Sequence, residues 1–351
     1  MSNHAVIRTS DRAMFKECRR KWGWASHLRG NMEPKIKAGP LWFGSGFHFA
    51  LEQMYLPKNP YGTAAEAFNE YTRLTKKYNW KSLPPDWEDL QVLGLEMCNY
   101  YEFDWLQKRA YLPTYIFNGQ PQVEVGFKIE LPVEVEGYDA VIFSGTLDRI
   151  SYDEESDSLW IVEYKTAKAF ATQHFMNDAQ ISAYSWAASL IYDKPVLGVI
   201  YQQHLKASPK PPRILKSGEL SKAINQRTTY SLFKEALQNQ YPDKEVPEEY
   251  TPVLENLAQQ ESEDKDRFVR RDYCYRNKHF QEAESVKLLL EVEDMLNPDL
   301  PLYPNPTRDC SWKCPFLSAC ISMDDGSSFE DELQANFRQR PASYDPWRKY
   351  L

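Results

Sequence analysis

Two apolar runs separated by a single acidic turn constrain this chain more than any other feature. Tyr138–Tyr152 and Leu159–Lys165 read as strands, and Asp153-Glu154-Glu155-Ser156-Asp157-Ser158 reads as the turn between them. The turn centre falls midway between residues 155 and 156, so opposed residues of an antiparallel hairpin sum to 311. Asp148 and Glu163 meet that condition and face each other. Lys165 lies two residues after Glu163 and points to the same side. Two carboxylates and an ammonium thus converge within Trp-Ile-Val-Glu-Tyr-Lys, a run otherwise suited to a buried strand. Opposed carboxylates repel, and buried charge is costly unless paired or metal-bound. A divalent cation is the simplest relief, and oxygen ligands favour Mg²⁺ or Mn²⁺. A purely structural Glu–Lys or Asp–Lys ion pair is the competing reading.

The rest of the chain sets this hairpin in a mixed α/β frame. Ser10-Asp11 caps a helix predicted over Arg12–His27, and Leu41–Tyr55 reads as a short turn opening a second helix. Thr63–Tyr78 and Trp87–Arg109 carry helical periodicity. Gln122–Leu131 alternates with period two and reads as a strand. After the hairpin come a helix over Phe170–Tyr192, a strand over Val196–Leu205 and a Pro-rich loop at Ser208–Pro212. A helix over Leu220–Gln238, a strand over Arg267–Arg276 and a helix over Lys278–Leu296 follow. Tyr241 to about Asp266 has no clear assignment, and everything after Cys320 reads as a polar tail. Helices first, then three antiparallel strands, a helix, a strand and more helices predict a mixed sheet flanked by helices, not a doubly wound parallel sheet.

The net charge of −8, from 42 basic and 50 acidic residues, argues bluntly against a nucleic-acid binder. Its distribution softens that argument. Met1–Lys37 holds nine Lys/Arg against three Asp/Glu, and His204–Lys234 seven against one. If both segments line one cleft they form a groove for phosphates; otherwise each is a solvated face. No stretch approaches a membrane span. The N-terminus lacks the apolar core of a signal peptide, so a cytoplasmic location is expected.

Six cysteines in such a chain suggest metal binding or free thiols rather than a disulfide framework. Cys310, Cys314 and Cys320 form a C-x3-C-x5-C cluster, and Cys18 lies near the other end of the chain. Three clustered thiols need a fourth soft ligand, which Cys18 supplies. Four thiolates suit zinc or an iron–sulfur cluster. Either would tie the first helix to the C-terminal segment. Cys98 and Cys274 read as small buried hydrophobes.

Together these residues resemble the RecB-type branch of the PD-(D/E)XK nuclease superfamily, and within it standalone iron–sulfur exonucleases, both CRISPR-associated and phage-encoded, and the AddB nuclease domain. Ser10…Phe15…Cys18-Arg19-Arg20-Lys21 looks like that branch's opening helix. Gly44-Ser45-Gly46-Phe47-His48 is similar to the motif whose histidine binds metal. Gly145-Thr146-Leu147-Asp148-Arg149-Ile150 and Ile161-Val162-Glu163-Tyr164-Lys165-Thr166 look like the catalytic motifs. Gln180-Ile181-Ser182-Ala183-Tyr184 matches the Q-x-x-x-Y element, and Tyr303-Pro304-Asn305-Pro306 is similar to the approach to the last cysteines. C-x3-C stands where many members have C-x2-C. No Walker A sequence occurs.

The resemblance implies an α/β nuclease core, a central mixed sheet flanked by helices, with helical elaborations and chain ends joined by a metal cluster. The likeness runs from Ser10 to about Cys320, and the implied domain is a single nuclease domain over 1–322: a helical part over 1–118, a core over 119–206 together with His48, a helical part over 207–309 and a cysteine segment over 310–320 with Cys18, followed by a tail over 323–351. It implies Mg²⁺- or Mn²⁺-dependent hydrolysis of DNA, acting on single-stranded ends in recombination, replication or processing. A non-catalytic nucleic-acid-binding protein and a structure-specific endonuclease are the alternatives. His48, Asp148, Glu163 and the main-chain carbonyl of Tyr164 would hold the cation. Lys165 would orient or deprotonate water, and Gln180 and Tyr184 would position the lysine or the DNA. Cys18, Cys310, Cys314 and Cys320 would hold a 4Fe-4S cluster, with zinc as the alternative. Recombination or replication proteins are the implied partners, and the host cytoplasm the implied location if the chain is phage-encoded.

Overall fold

The computed structural model describes residues 3–35, 41–79, 83–109, 112–171, 174–242, 245–262 and 267–340. The chain opens on a strand, β1 (His4–Arg8). The helix predicted over Arg12–His27 is two helices, α1 (Thr9–Glu17) and α2 (Arg19–Ala25). They part at Cys18, whose extended backbone (φ −163°, ψ 115°) makes it the N-cap of α2. A short strand, β2 (Met32–Pro34), follows. Next come α3 (Leu41–Tyr55), α4 (Ala64–Asn79) and α5 (Trp87–Tyr100). The helix predicted through Arg109 loosens after Tyr100 into a π-helical turn, Tyr101–Trp105, then a 3₁₀ turn.

The strands β3 (Ile116–Phe117) and β4 (Gln120–Pro121) form a small hairpin before the main sheet. The sheet is then built by β5 (Val123–Glu130), β6 (Ala140–Asp153) and β7 (Ser158–Ala167). The helix α6 (Ala179–Ile191) crosses over to β8 (Val196–Leu205). The helix predicted from Phe170 begins later, because Asp178 caps α6 by accepting the Gln180 amide at 2.7 Å; residues 172 and 173 of that prediction lie outside the described residues. Two helices, α7 (Tyr230–Gln240) and α8 (Thr251–Ser262), pack on each other and precede β9 (Val269–Tyr275) and α9 (Lys278–Leu296).

The segment read as a polar tail is folded through residue 340. After α10 (Cys310–Lys313) and α11 (Leu317–Asp325) come α12 (Phe329–Asn336) and β10 (Phe337–Gln339). β10 pairs antiparallel with β2, and Phe316, Ala319, Leu333 and Phe337 bury against Ala25. Residues 341–351 of the predicted tail lie outside the described residues.

The six-stranded sheet runs β1-β6-β7-β8-β9, with β5 on the other edge of β6. The β7–β8 and β1–β6 pairs are parallel and the rest antiparallel, so the sheet is mixed. Its two faces are covered by different layers. Leu159 and Ile161 of β7 join Phe15, Trp22, Ala183, Leu288 and Val292 from α1, α2, α6 and α9. Trp160, Val162 and Tyr164 join Phe43, Phe47, Phe68 and Trp105 from α3–α5 and the turn after them. Among the described residues no helix is long and apolar enough to cross a membrane.

The N-terminal basic segment is largely consumed by packing. Arg12 is buried and bonds Glu284 at 2.8 Å and Glu291 at 2.7 Å on α9. Lys16 also reaches Glu291, Arg19 reaches Asp294 and Arg20 reaches Asp324. Arg29 donates to the main-chain carbonyls of Met295 and Asn297. These charges clamp distant parts of the chain together rather than line a cleft.

At Gly198 (φ +151°) the sheet pinches: an added Cβ would meet the Cys274 carbonyl of β9 at 2.1 Å. The β7–β8 register shifts beside it, between Leu159 and Trp160. Gly198→Ala is expected to destabilise the fold by about 2–3 kcal/mol, read as a lower midpoint in urea denaturation; an unchanged midpoint would contradict this close approach.

Candidate active site

The hairpin register follows the turn arithmetic. Arg149 pairs with Val162, Ile150 with Ile161 and Asp153 with Ser158, each pair summing to 311. The ladder ends there. One register step on, the Tyr164 amide donates to Asp148 Oδ2 at 2.8 Å, a side-chain bond where the strands part. Beyond the parting, the same edge of β6 is taken by β1, which pairs with residues 140–144. β6 is therefore shared along one edge by two partners. Residues 145–148 lie between them, still paired with β5 on the other edge up to Leu147.

Asp148 and Glu163 flank this fork, as the sequence requires. A third carboxylate, which sequence reasoning missed, joins them. Glu124 of β5 sits between the paired positions Val123–Arg149 and Val125–Leu147, which places it opposite Asp148. Its backbone is left-handed (φ 49°), a strained state for a glutamate and one that clusters at functional sites. The signal for it lay in the loop before β6. A turn centred on Glu136, beside Gly137, sets β5 and β6 in the register that opposes residues 124 and 148.

His48 arrives from α3, the layer on the Tyr164 side. Its Nδ1 lies 3.6 Å from Asp148 Oδ1 and 3.7 Å from Glu124 Oε1. One ligand atom each from His48, Glu124 and Asp148 lies within 4.8 Å of the other two. From the opposite layer, Gln180 Nε2 donates to Glu163 Oε1 at 3.3 Å, and Lys165 donates to the same oxygen. The other Glu163 oxygen, Oε2, is buried and has no hydrogen-bond partner among the described residues. Tyr184, one turn after Gln180, is buried at 7% exposure, with its ring edge-on to Phe127 at 5.9 Å. It backs the site from beneath and shows no open ring face. Of Tyr164, the main-chain N–H serves Asp148, while its phenol oxygen accepts from the buried Arg149 at 2.8 Å.

The electrostatics are those of crowded acids. Burial pushes Glu163 up, Asp148 adds to it, and its pKa reaches about 7. Burial raises Glu124 as well. Burial opposes ionisation of Asp148 too, but His48 outweighs it and holds that carboxyl below its usual range. Burial works against the His48 cation, yet Asp148 and then Glu124 lift its pKa to about 10. Burial likewise opposes the Lys165 charge, and Glu163 and Asp148 overcome it. A pocket that raises two of its three carboxyls is one in which a divalent cation compensates more charge than a proton does. The donor set, one imidazole with carboxylates and an unpartnered buried carboxylate oxygen, fits such an ion.

Cys98 and Cys274 are fully buried, as expected of packing residues. The other four, Cys18, Cys310, Cys314 and Cys320, are free thiols and half-buried. Cys18 Sγ accepts from the Lys21 amide at 3.5 Å and from the Asn305 amide at 3.4 Å. Cys310 Sγ accepts from the Thr307 amide at 3.3 Å, and Arg20 lies 3.3 Å from Cys320 Sγ. Burial raises the Cys314 thiol's pKa, and nearby Cys310 and Cys18 push it the same way.

Residues 10–321 match the family model of the PD-(D/E)XK nuclease superfamily, and the chain belongs to that superfamily. Its members are generally nucleases that use divalent metals. No curated protein matches the sequence.

Glu124→Gln is expected to weaken Mn²⁺ binding by about tenfold or more, since even outer-shell partners of a metal site are worth that much. Calorimetric titration of the variant with Mn²⁺ checks it, and an affinity equal to wild type would remove Glu124 from the ligand set.

Proposed function

We propose that this protein is a divalent-metal-dependent DNA exonuclease that works on single-stranded ends and carries an iron–sulfur cluster. The observation that carries the reading is the fork between β6 and β7. There ligand atoms of His48, Glu124 and Asp148 come together, and across the fork Glu163 keeps a buried oxygen, Oε2, with no hydrogen-bond partner among the described residues, while Lys165 donates to its Oε1. The resemblance of the ordered motifs to standalone iron–sulfur exonucleases supports the preference for ends and for single strands.

His48, Glu124, Asp148 and Glu163 would hold Mg²⁺ or Mn²⁺. The ion supplies Lewis-acid stabilisation of charge on the phosphoryl oxygen. The protein's own groups do the rest. Lys165 stays cationic, orients the attacking water and offsets charge as the oxygen bonds to phosphorus. Glu163 holds that lysine in place and is itself held by Gln180. The water proton ends on the leaving oxygen, which balances the hydrolysis. Tyr184 fixes α6 behind Gln180, and Arg149 fixes Tyr164, whose amide locks Asp148.

Cys18, Cys310, Cys314 and Cys320 would hold a 4Fe-4S cluster. Amide N–H groups aimed at their sulfurs favour thiolate ligands. Zinc is the alternative occupant of the same thiols.

Purified protein is expected to degrade end-labelled single-stranded DNA with Mg²⁺ or Mn²⁺ and to spare circular strands. Glu163→Gln and Lys165→Ala should each lower kcat by on the order of a hundredfold or more. Hydrolysis of circles would establish an endonuclease instead, and binding without metal-dependent cleavage would establish a binding protein. For the cysteines, anaerobically purified protein should be brown with broad visible absorption, and Cys18→Ser should bleach it. A colourless protein with one zinc per chain would replace the cluster by that ion.

A further inference from the structure

The path of a substrate strand beyond the metal site is marked by the residues that follow β7 and β8. The two strands run parallel to their ends, Ala167 beside Leu205, and the Lys206 amide extends the pairing onto the Ala167 carbonyl at 2.7 Å. Lys168 and Lys206 therefore leave adjacent strands side by side. Lys168 is exposed and Lys206 half-buried, with its Nζ 4.9 Å from the Phe43 ring in the first turn of α3. In the same turn a Cβ on Gly44 would lie 3.7 Å from Thr166 Oγ1. The start of α3 and the ends of β7 and β8 thus frame one mouth, with His48 one turn further along α3. A strand rise of about 3.3 Å per residue puts Lys168 about 10 Å beyond Lys165.

The charges at this mouth are unbalanced. Among the described residues neither Lys168 nor Lys206 forms an ion pair with a carboxylate. Neighbouring cations do: Lys210 binds Glu96 at 2.7 Å, Arg270 binds Asp272 at 2.7 Å, and Lys165 binds Glu163. Burial, and then nearby Lys168, depresses the pKa of Lys206. Two adjacent ammoniums without an anion, one of them partly desolvated, are unfavourable in the free protein, and a bound anion relieves both terms. An ammonium on a flexible stem is a point charge suited to phosphate and indifferent to the base.

We infer that Lys168 and Lys206 clamp a backbone phosphate of the nucleic-acid strand, about two to three nucleotides from the bond being cut. This rests on the nuclease reading and extends it from the scissile bond to the strand beside it. The clamp is sequence-independent and selects polymers long enough to reach it.

Equilibrium binding of a fluorescein-labelled single-stranded oligonucleotide to the full chain, without divalent metal and across a salt series, tests the clamp. Lys168→Ala/Lys206→Ala should bind about tenfold more weakly at low salt, with the slope of log affinity against log salt shallower by about 1.4, or about 0.7 for each lysine that no longer neutralises phosphate. Lys168→Ala alone removes an exposed side chain and should take away about half of that difference. The double arginine variant should keep the wild-type slope. A wild-type slope in both alanine variants would overturn the clamp, whatever the affinity does. Wild-type protein with Mn²⁺ and the same oligonucleotide tests the underlying reading separately: absence of hydrolysis there overturns the nuclease, while a changed slope in the variants concerns the clamp alone.

Discussion

One hydrogen bond decides how the two central strands lie. Where a regular ladder would join β6 to β7, the Tyr164 amide is taken by the Asp148 carboxylate. A side chain placed in a main-chain role lets the strands part without leaving a buried N–H unsatisfied. It also fixes Asp148 with one oxygen inward and the other toward His48. The parting opens the sheet at the point where α3 on one face and α6 on the other can both send a side chain through. Without it, His48 and Gln180 would be separated by a closed sheet.

Behind the fork lies a second layer of buried polar groups. Arg149 and Arg271 are both buried. Arg149 meets the Tyr164 phenol and main-chain and hydroxyl oxygens, and Arg271 meets Gln202 and the face of Trp105. Tyr55, Tyr101 and His204 complete the layer. Fixed positive charge beneath a cluster of acids holds their field in check.

Much of this was legible from residue order. β8 and α9 have the bounds their apolar patterns predict, and the acidic turn alone sets the β6–β7 register. What stayed hidden depended on distant partners. β1 is five residues long, and its partner lies more than a hundred residues away, so local alternation of Ala5 and Ile7 is too short to read. The break at Cys18 is invisible to periodicity because the apolar positions continue through it. Phe329, Leu333 and Phe337 are spaced by four, but they sit among so many charges that only their packing on Ala25 distinguishes the segment from a tail. Glu124 was hidden because its strand could be drawn without its register. The net charge misled twice. It concealed basic segments, and the N-terminal one serves α9 and the C-terminal helices.

The pairing of β1 with residues 140–144 has a consequence for biosynthesis. A parallel strand so far upstream finds no partner until β6 has emerged, and α1 and α2 find theirs only when residues 284–324 follow. Residues 4–25 therefore wait, unpaired, while the intervening chain is made. Non-local closure of this kind slows folding and leaves apolar surface exposed in the interim. The candidate site inherits that order of events: the edge of β6 that holds the fork open is completed by residues synthesised long before it and secured long after.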